Sequence, residues 1–210
     1  MPSLLKNRIF NWFLYRIKRS KYEKTYKEYW INRGHRFVSE WADSPVHNAR
    51  VAVTTDYISK LNPKTILEYG VGFGVNLKAL HEKLPNSQLY GVDIGKDQLE
   101  SARKFTNEKA TLQQIKDEKI PYDDKFFDVS FTSSVLQHIP PADFEKICNE
   151  LIRVTKNYII HGEHNTTYSH KYKHDYKKFY ESGGYSISFF QKPEIDPSQF
   201  WFIISLNRTN

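Results

Sequence analysis

Histidine is the side chain in this sequence best suited to moving protons near neutral pH, and five of the eight histidines lie between residues 138 and 174. His138 follows one predicted strand, and His161 and His164 follow the next, so all three could reach a ligand at one edge of a sheet. A histidine there could act as a general base for a hydroxyl acceptor, with Glu163 orienting a neighbouring ring. Packing or loop positions explain the same residues about as well. A catalytic role for His138, His161 and His164 is therefore a hypothesis.

The same histidines could instead hold a metal ion. His161-x-x-His164 has a spacing that suits metal ligands, and His170 and His174 follow it. Two of the four would stand at a strand end and two in a loop, and Cys148 is the only cysteine, so no cysteine pair supports a site. We expect no metal.

A glycine-rich turn follows a short predicted strand, Thr65–Tyr69. Gly70, Gly72 and Gly74 permit close approach of a ligand to the backbone, and the next helix offers free N–H groups at its start. Asp93 ends the following strand, where a carboxylate can accept hydrogen bonds from two ribose hydroxyls. A structural turn explains the glycines alone and an N-cap explains Asp93 alone. Their combination favours a nucleoside-binding site.

The spacing of the glycines restricts the kind of cofactor. Position 75 is valine, so the dinucleotide pattern G-x-G-x-x-G fails, and there is no G-x-x-x-x-G-K-[ST] phosphate loop. Glu68 stands just before the loop, where it would repel a pyrophosphate but could hold an ammonium group. The sequence thus favours a cofactor without phosphates.

Strands and helices alternate around these residues, which indicates βαβ units and a parallel sheet. Two strands near the end have only a short link between them, which suits an antiparallel pair. The predicted strands are 65–69, 88–92, 112–115, 127–132, 158–161, 185–191 and 200–206. The predicted helices are 76–84, 97–107 and 140–154.

Four segments, in order, resemble the motifs of the class I S-adenosylmethionine-dependent methyltransferases. They are Ile66-Leu67-Glu68-Tyr69-Gly70-Val71-Gly72-Phe73-Gly74, Leu89-Tyr90-Gly91-Val92-Asp93-Ile94, the stretch from Ile120 to Ile139, and Glu150-Leu151-Ile152-Arg153-Val154. The resemblance covers roughly residues 60 to 165. It implies a Rossmann-like, doubly wound α/β fold with a mostly parallel seven-stranded sheet and an antiparallel C-terminal β-hairpin.

The resemblance also implies S-adenosyl-L-methionine as cofactor and a role for each matching position. Glu68 and the glycine loop would face the methionine part, Asp93 the ribose and Ile94 the adenine. Ser133 would lie beneath the cofactor. Members often place an acidic residue where this chain has Lys116, and Asp117, one step later, could replace it at the adenine. The implied cofactor residues are Glu68, Gly70, Gly72, Gly74, Asp93, Ile94, Asp117 and Ser133.

The net charge of +7 lies in the N-terminal segment. Residues 1–40 hold ten basic and three acidic residues, whereas residues 41–210 hold 21 of each. Leu5, Ile9, Trp12 or Phe13, and Ile17 recur at helical spacing among basic residues. We expect an N-terminal basic amphipathic helical extension over 1–45 and a methyltransferase domain over 46–210. The helix could pack on the domain, join a second subunit as a homodimer, or contact an anionic membrane.

The neutral body makes nucleic acid an improbable partner, because backbone contacts need distributed basic residues. The resemblance therefore favours methyl transfer to a small-molecule or glycan-type acceptor. The alternatives are a nucleic-acid methyltransferase and a non-catalytic binding module with the same fold. No apolar run reaches the roughly 18 residues of a membrane span, and no signal peptide is evident. We expect a cytoplasmic protein, peripheral to the membrane if the helix binds lipid.

Overall fold

The computed structural model describes residues 16–33, 44–164 and 171–207. Helix α1 covers residues 16–33. The strands are β1 (Thr65–Tyr69), β2 (Gln88–Asp93), β3 (Ala110–Gln114), β4 (Phe127–Ser133), β5 (Thr155–His164), β6 (Ser186–Gln191) and β7 (Gln199–Ser205). The remaining helices are α2 (Pro45–Lys60), α3 (Val75–Lys83), α4 (Lys96–Phe105), α5 (Pro141–Val154) and α6 (Tyr176–Ser182), with a short 3₁₀ helix at Leu136–His138.

The seven strands form one sheet in the order β3-β2-β1-β4-β5-β7-β6. The pairs from β3 to β5 are parallel, and β7 is antiparallel to both β5 and β6. The predicted fold is confirmed. The strand order reverses between β1 and β4, and this is the place where α/β sheets bind ligands, outside the carboxyl ends of the strands.

Two apolar cores lie on the two faces of the sheet, which is why its central strands are apolar on both sides. Residues of α2, α3 and α4 pack with Ile66 and Phe131 on one face. Residues of α1, α5 and α6 pack with Leu67 and Ile159 on the other. The sheet is thus doubly wound, and its strand ends stay fixed between the helical layers.

Strand β5 is longer than the sequence predicts, because its partner β7 extends it. It begins at Thr155, directly after α5, and runs to His164 instead of ending at His161. Residues 158–164 pair with β7 in continuous antiparallel register. This extension places Glu163 and His164 on the strand rather than in a loop.

Helix α1 packs on the domain. Tyr22 and Tyr26 are buried in the core with α5, whereas Ile17 is 50% exposed. Leu5, Ile9, Trp12 and Phe13, which predict the start of the helix, lie outside the described residues. Among the helices of the described residues, none is long and apolar enough to cross a membrane.

Candidate cofactor and acceptor site

The glycine loop links β1 to α3 in a conformation that only glycine adopts readily. Gly70, Gly72 and Gly74 have φ angles of 76°, 53° and 85°. Gly70 also faces a side chain at close range: a β-carbon there would lie 2.5 Å from Cγ2 of Val135. The loop therefore depends on glycine both for its backbone angles and for its contact with the segment after β4.

Asp93 ties the glycine loop to the end of β2. One carboxylate oxygen, Oδ2, accepts a hydrogen bond from Gly72 N at 2.9 Å, and Oδ1 accepts one from Gly95 N at 2.9 Å. Burial raises the pKa of Asp93 to about 6, although the backbone donors oppose that shift. The carboxylate lies beside the loop where the sequence predicts ribose binding, and its remaining lone pairs suit hydroxyl donors.

Glu68 is a buried carboxyl group with one oxygen that the described residues leave without a hydrogen bond. Its Oε1 accepts a hydrogen bond from Nδ2 of Asn76 at 2.7 Å, while its buried Oε2 has no hydrogen-bond partner among the described residues. Burial raises the pKa of Glu68 well above its usual value, and the nearby Asp93 charge adds to the effect. A buried carboxylate oxygen in need of a donor fits the ammonium group of S-adenosylmethionine.

The other predicted cofactor residues, Ile94, Ser133 and Asp117, lie near the carboxyl ends of the strands and differ in how far they are buried. Ile94 packs against the apolar core beside Asp93, and its carbonyl accepts a bond from Gln114. Ser133 ends β4 opposite Gly162. Asp117 is exposed, and its Oδ1 accepts a bond from Lys119 N. These three assignments stay predictions.

The segment after β4, residues 134–138, which we name the β4 loop, is fastened to the end of β5. Ser134 N donates to Gly162 O at 2.8 Å, and Ser134 has a left-handed φ of 58°. Val135 N and Gln137 N donate to the two carboxylate oxygens of Glu163, each at 3.1 Å. The last residues of β5 therefore help to hold this loop, and Tyr172 N also donates to Gln137 O at 2.7 Å.

Gln137 brings two of the predicted histidines together. Its Oε1 accepts a bond from His164 N at 2.6 Å, and its Nε2 lies 3.0 Å from Nε2 of His138. Because an amide nitrogen can only donate, His138 accepts at Nε2, and neutral His138 carries its proton on Nδ1. Sequence reasoning missed Gln137. The only available signal was its place beside His138.

His161 lies apart from the site surface. It is completely buried, with Nδ1 2.9 Å from Thr132 Oγ1 and Nε2 2.7 Å from the hydroxyl of Tyr180. Burial lowers the pKa of His161 to about 3. The structure thus does not bring His161 to the surface that His138 and His164 share, and its predicted catalytic role stays untested.

His164, on β5, lies in a polar cluster with Arg50 of α2 and with Ser198 and Asp196 from the connection between β6 and β7. Its Nε2 lies 3.0 Å from Nη1 of Arg50, and its Nδ1 lies 2.7 Å from Oγ of Ser198, which in turn donates to Asp196. Arginine can only donate, so Nε2 accepts and Nδ1 carries the proton. Burial, with the Lys171 charge, lowers the pKa of His164 to about 4. His164 is therefore a weak base in this arrangement.

Helix α1 closes the site from the side of α4 and α5. The hydroxyl of Tyr22 donates to the carbonyl of His138 at 3.0 Å, and the Trp30 ring lies 4.5 Å from the His138 ring. Gln98, in the first turn of α4, donates from Nε2 to the carbonyl of Trp30 at 2.6 Å. His138 is consequently only 8% exposed. Neither Tyr22 nor Gln98 carries a motif that points to this position.

No group of three or more potential metal ligands comes together within residues 16–33, 44–164 and 171–207. His170, one of the four histidines that suggested a metal, lies outside the described residues. His174 is buried against Phe144, and its Nε2 reaches the carbonyls of Leu136 and Ile139.

Comparisons with known proteins agree with this geometry. Residues 66–158 match a family model described as a methyltransferase domain. The chain is similar to the magnesium protoporphyrin IX methyltransferase of Synechocystis PCC 6803, solved with bound SAH, at 14% identity over 90% of this chain and 99% of that one, with a TM-score of 0.67.

Two further solved structures share the fold. The methyltransferase domain of bacterial CtHen1 is 18% identical over 76% of this chain and 98% of that chain, with a TM-score of 0.65. YcgJ from Bacillus subtilis is 16% identical over 78% of this chain and 100% of that chain, with a TM-score of 0.64.

Proposed function

We propose that the chain, of which residues 66–158 match a methyltransferase domain model, is a class I S-adenosylmethionine-dependent methyltransferase that methylates a small-molecule or glycan-type acceptor held over the ends of β4 and β5. The observation that carries the choice of acceptor is the position of α1, which lies across the carbonyl and ring of His138. A helix over this edge leaves access to a slender group rather than to a broad duplex. The charge balance of residues 41–210 also argues against a nucleic-acid backbone as partner.

S-adenosylmethionine supplies, when bound, a methyl group on a positively charged sulfur, which is already activated for direct displacement. The chain's part is to hold and align the reactants. Glu68 offers its unpartnered Oε2 to an ammonium group, and Asp93 offers lone pairs to hydroxyls. The glycine loop lets the cofactor approach the backbone between them.

We assign the proton of a hydroxyl acceptor to Nε2 of His138. That nitrogen is an acceptor atom in this structure, and its present donor is the flexible amide of Gln137. The acceptor's hydroxyl would take the place of that amide. His164 has its own Nε2 occupied by Arg50, and its pKa of about 4 suits a positioning residue better than a base. His161, which is buried between Thr132 and Tyr180, would also act by positioning.

Calorimetry with S-adenosylmethionine tests the cofactor site. We expect the wild-type chain to bind and Asp93→Ala to bind at least about tenfold more weakly, since each lost hydrogen bond to a charged group contributes roughly 1.5–3 kcal/mol. An affinity that is unchanged in Asp93→Ala, or an absence of binding by the wild type, would refute the site.

A labelled-methyl transfer screen over hydroxyl, amine and carboxylate acceptors, including sugars and lipid-linked sugars, tests the acceptor. His138→Ala should slow transfer to a hydroxyl acceptor by about 10²–10⁴-fold, whereas His164→Ala should have a smaller effect. If neither change slows transfer, both assignments are wrong.

We further propose that the outer face of α1 makes peripheral contact with anionic lipid. Its exposed residues include Ile17, Lys18, Lys21 and Lys24, while the buried Tyr22 and Tyr26 fix which face points outward. Basic residues near an anionic surface contribute about 1 kcal/mol each.

Co-sedimentation with phosphatidylserine vesicles tests this contact. Lys18→Glu combined with Lys24→Glu should reduce sedimentation, and the control pair Lys60→Glu with Lys64→Glu, also exposed but on another surface, should not. Equal sedimentation of both pairs argues against the contact. A change in oligomeric state in the first pair alone would indicate a homodimer interface instead.

A further inference from the structure

Glu163 is a buried carboxylate whose hydrogen bonds run to Thr132 of β4 and to the backbone of the β4 loop. Its Oε1 accepts bonds from Thr132 Oγ1 at 2.7 Å and from Val135 N at 3.1 Å, and its Oε2 accepts one from Gln137 N at 3.1 Å. Its relative exposure is 0%. Such burial of a charge is costly unless the group is fully hydrogen-bonded.

The backbone donors favour the ionised carboxylate, because an N–H group can only donate. Burial itself raises the pKa of Glu163, and the bonds from Thr132, Gln137 and Val135, with a contribution from the backbone of Leu136, oppose that rise. Two of the donors belong to the β4 loop. The regular structure of this loop is one short 3₁₀ turn at Leu136–His138, and its carbonyls accept bonds from Tyr172 N, from Tyr22 and from His174.

One side of the β4 loop contacts the glycine loop. Val135, whose N–H donates to Glu163, presents its Cγ2 to the space where Gly70 has no β-carbon. The other side carries Gln137 and His138, and Gln137 joins His138 to His164. A displacement of this loop would therefore change the cofactor side and the acceptor side together.

The buried hydrogen bonds that lead to Glu163 all donate in one direction, toward its carboxylate. Thr132 has a single hydroxyl hydrogen, which it donates to Glu163, so His161 must donate its Nδ1–H to Thr132 and accept at Nε2 from Tyr180. A buried chain of donors thus runs from α6 through β5 and β4 and ends at this carboxylate. Every member supports the orientation of Glu163.

We propose that Glu163 is a positioning residue that fixes the β4 loop, and through it both the cofactor loop at Gly70 and the proton-accepting nitrogen of His138. The proposal builds on the proposed function but concerns the geometry of the loop, which can be observed without any acceptor. It makes Glu163 necessary for alignment rather than for proton transfer or binding.

Glu163→Gln tests the proposal with almost no change in shape. An amide can still accept from Thr132 and Val135 at its oxygen, but its NH₂ group then faces the N–H of Gln137, and two donors oppose each other. The matched control is Thr132→Val. It removes one donor from the same carboxylate and weakens the same buried network, while both backbone donors of the loop stay paired.

Amide hydrogen exchange measured by NMR gives a readout that is independent of turnover. In Glu163→Gln, exchange at Gln137 should accelerate by at least about tenfold, with a smaller change at Val135, while β1 and β2 keep their protection. Thr132→Val should leave the amides of the β4 loop protected even if its melting temperature falls as much as that of Glu163→Gln. Equal exchange in wild type and Glu163→Gln, or equal acceleration in both variants, overturns the proposal.

Kinetics with any acceptor found in the screen give the second readout. Misplacement of a reacting group by about 1 Å can lower a rate by about 10²-fold, so kcat should fall by 10- to 100-fold in Glu163→Gln, with the pH dependence of the remaining activity unchanged. An altered pH profile would make Glu163 a proton carrier and refute the positioning role. Altered exchange in a chain that binds no S-adenosylmethionine would support the loop inference while the proposed function fails.

Discussion

The raised pKa of Asp93 predicts that cofactor affinity falls as the pH is lowered from 7 to 5. Hydroxyl groups donate to a carboxylate better than to a carboxylic acid, so the ionised form of Asp93 should be the binding form. With a pKa of about 6, roughly 90% of Asp93 is ionised at pH 7 and roughly 10% at pH 5. The apparent Kd should therefore rise about tenfold, which corresponds to about 1.4 kcal/mol of binding free energy.

Through Asp93, a fall in pH should change the stability of the fold and the affinity for the cofactor in opposite directions. The folded pKa of Asp93 lies about two units above its ordinary value of 3.8, so its contribution to stability is fully present below pH 3.8 and is lost as the pH rises through about 6. Two units correspond to about 3 kcal/mol. Bound hydroxyl donors would offset part of that loss, so the stabilisation of the fold by cofactor should grow with pH.

The assay is calorimetric titration with S-adenosylhomocysteine at pH 5, 6 and 7, in a Glu68→Gln background. The substitution removes the other buried carboxyl group at the site, whose pKa is also raised by burial. Glu68→Gln should show the tenfold change, and Glu68→Gln with Asp93→Asn should show none. A pH-independent affinity in the single variant, or the same pH dependence in both, would refute the assignment of Asp93.

Three further predictions concern the fold around the site. Gly70→Ala should lower the free energy of unfolding, measured in urea, by about 1–3 kcal/mol, because alanine there must adopt a left-handed backbone and contact Val135. The control Gly184→Ala, at a φ of 77° with open space around it, should lower the free energy of unfolding less. Equal losses in the two variants would contradict the role of the contact with Val135. Burial lowers the pKa of His174 to about 4, so its contribution to stability is present above pH 6.5 and is lost as the pH falls through 4. His174→Gln should reduce the slope of unfolding free energy against pH in this range by up to about 1.4 kcal/mol per pH unit. An unchanged slope would refute this contribution of His174. Tyr22→Phe removes both the bond to the carbonyl of His138 and the bond that the hydroxyl accepts from Trp30 Nε1. It should speed limited proteolysis within α1 while the melting temperature of the domain stays near that of wild type, and unchanged proteolysis would show that these bonds do not hold the helix.

The order of local patterns along the chain accounts for what could be predicted of the fold. Strand Thr65–Tyr69, its three glycines and the helix after them are set by neighbouring residues, since a buried apolar run and positive φ angles need only a local signal. The same is true of Asp93 at the end of β2. The methyltransferase fold was accordingly predictable and is confirmed, and the same local motifs predict the cofactor. The individual cofactor residues lie at the predicted edge and await the binding experiments.

The positions of the three predicted histidines could not be derived from neighbouring residues in the sequence. His138, His161 and His164 look alike in the sequence, each following a strand. The pairing of β7 with β5 extends that strand to His164. The alternation of side chains along it then sends His161 into the core with Tyr180 and places Glu163 beneath the β4 loop. No residue near His161 in the sequence reports this burial.

The sequence alone determined the fold class and the uneven distribution of charge, because each depends on residue types at short spacing. Only the tertiary structure decided what the N-terminal helix covers, which of the predicted histidines is completely buried, and that Gln137 contacts both His138 and His164. These features depend on contacts between residues far apart in the chain: Tyr22 meets His138 across 116 positions, and Arg50 meets His164 across 114. Contacts of that kind arise from the packing of whole elements, to which no local pattern corresponds.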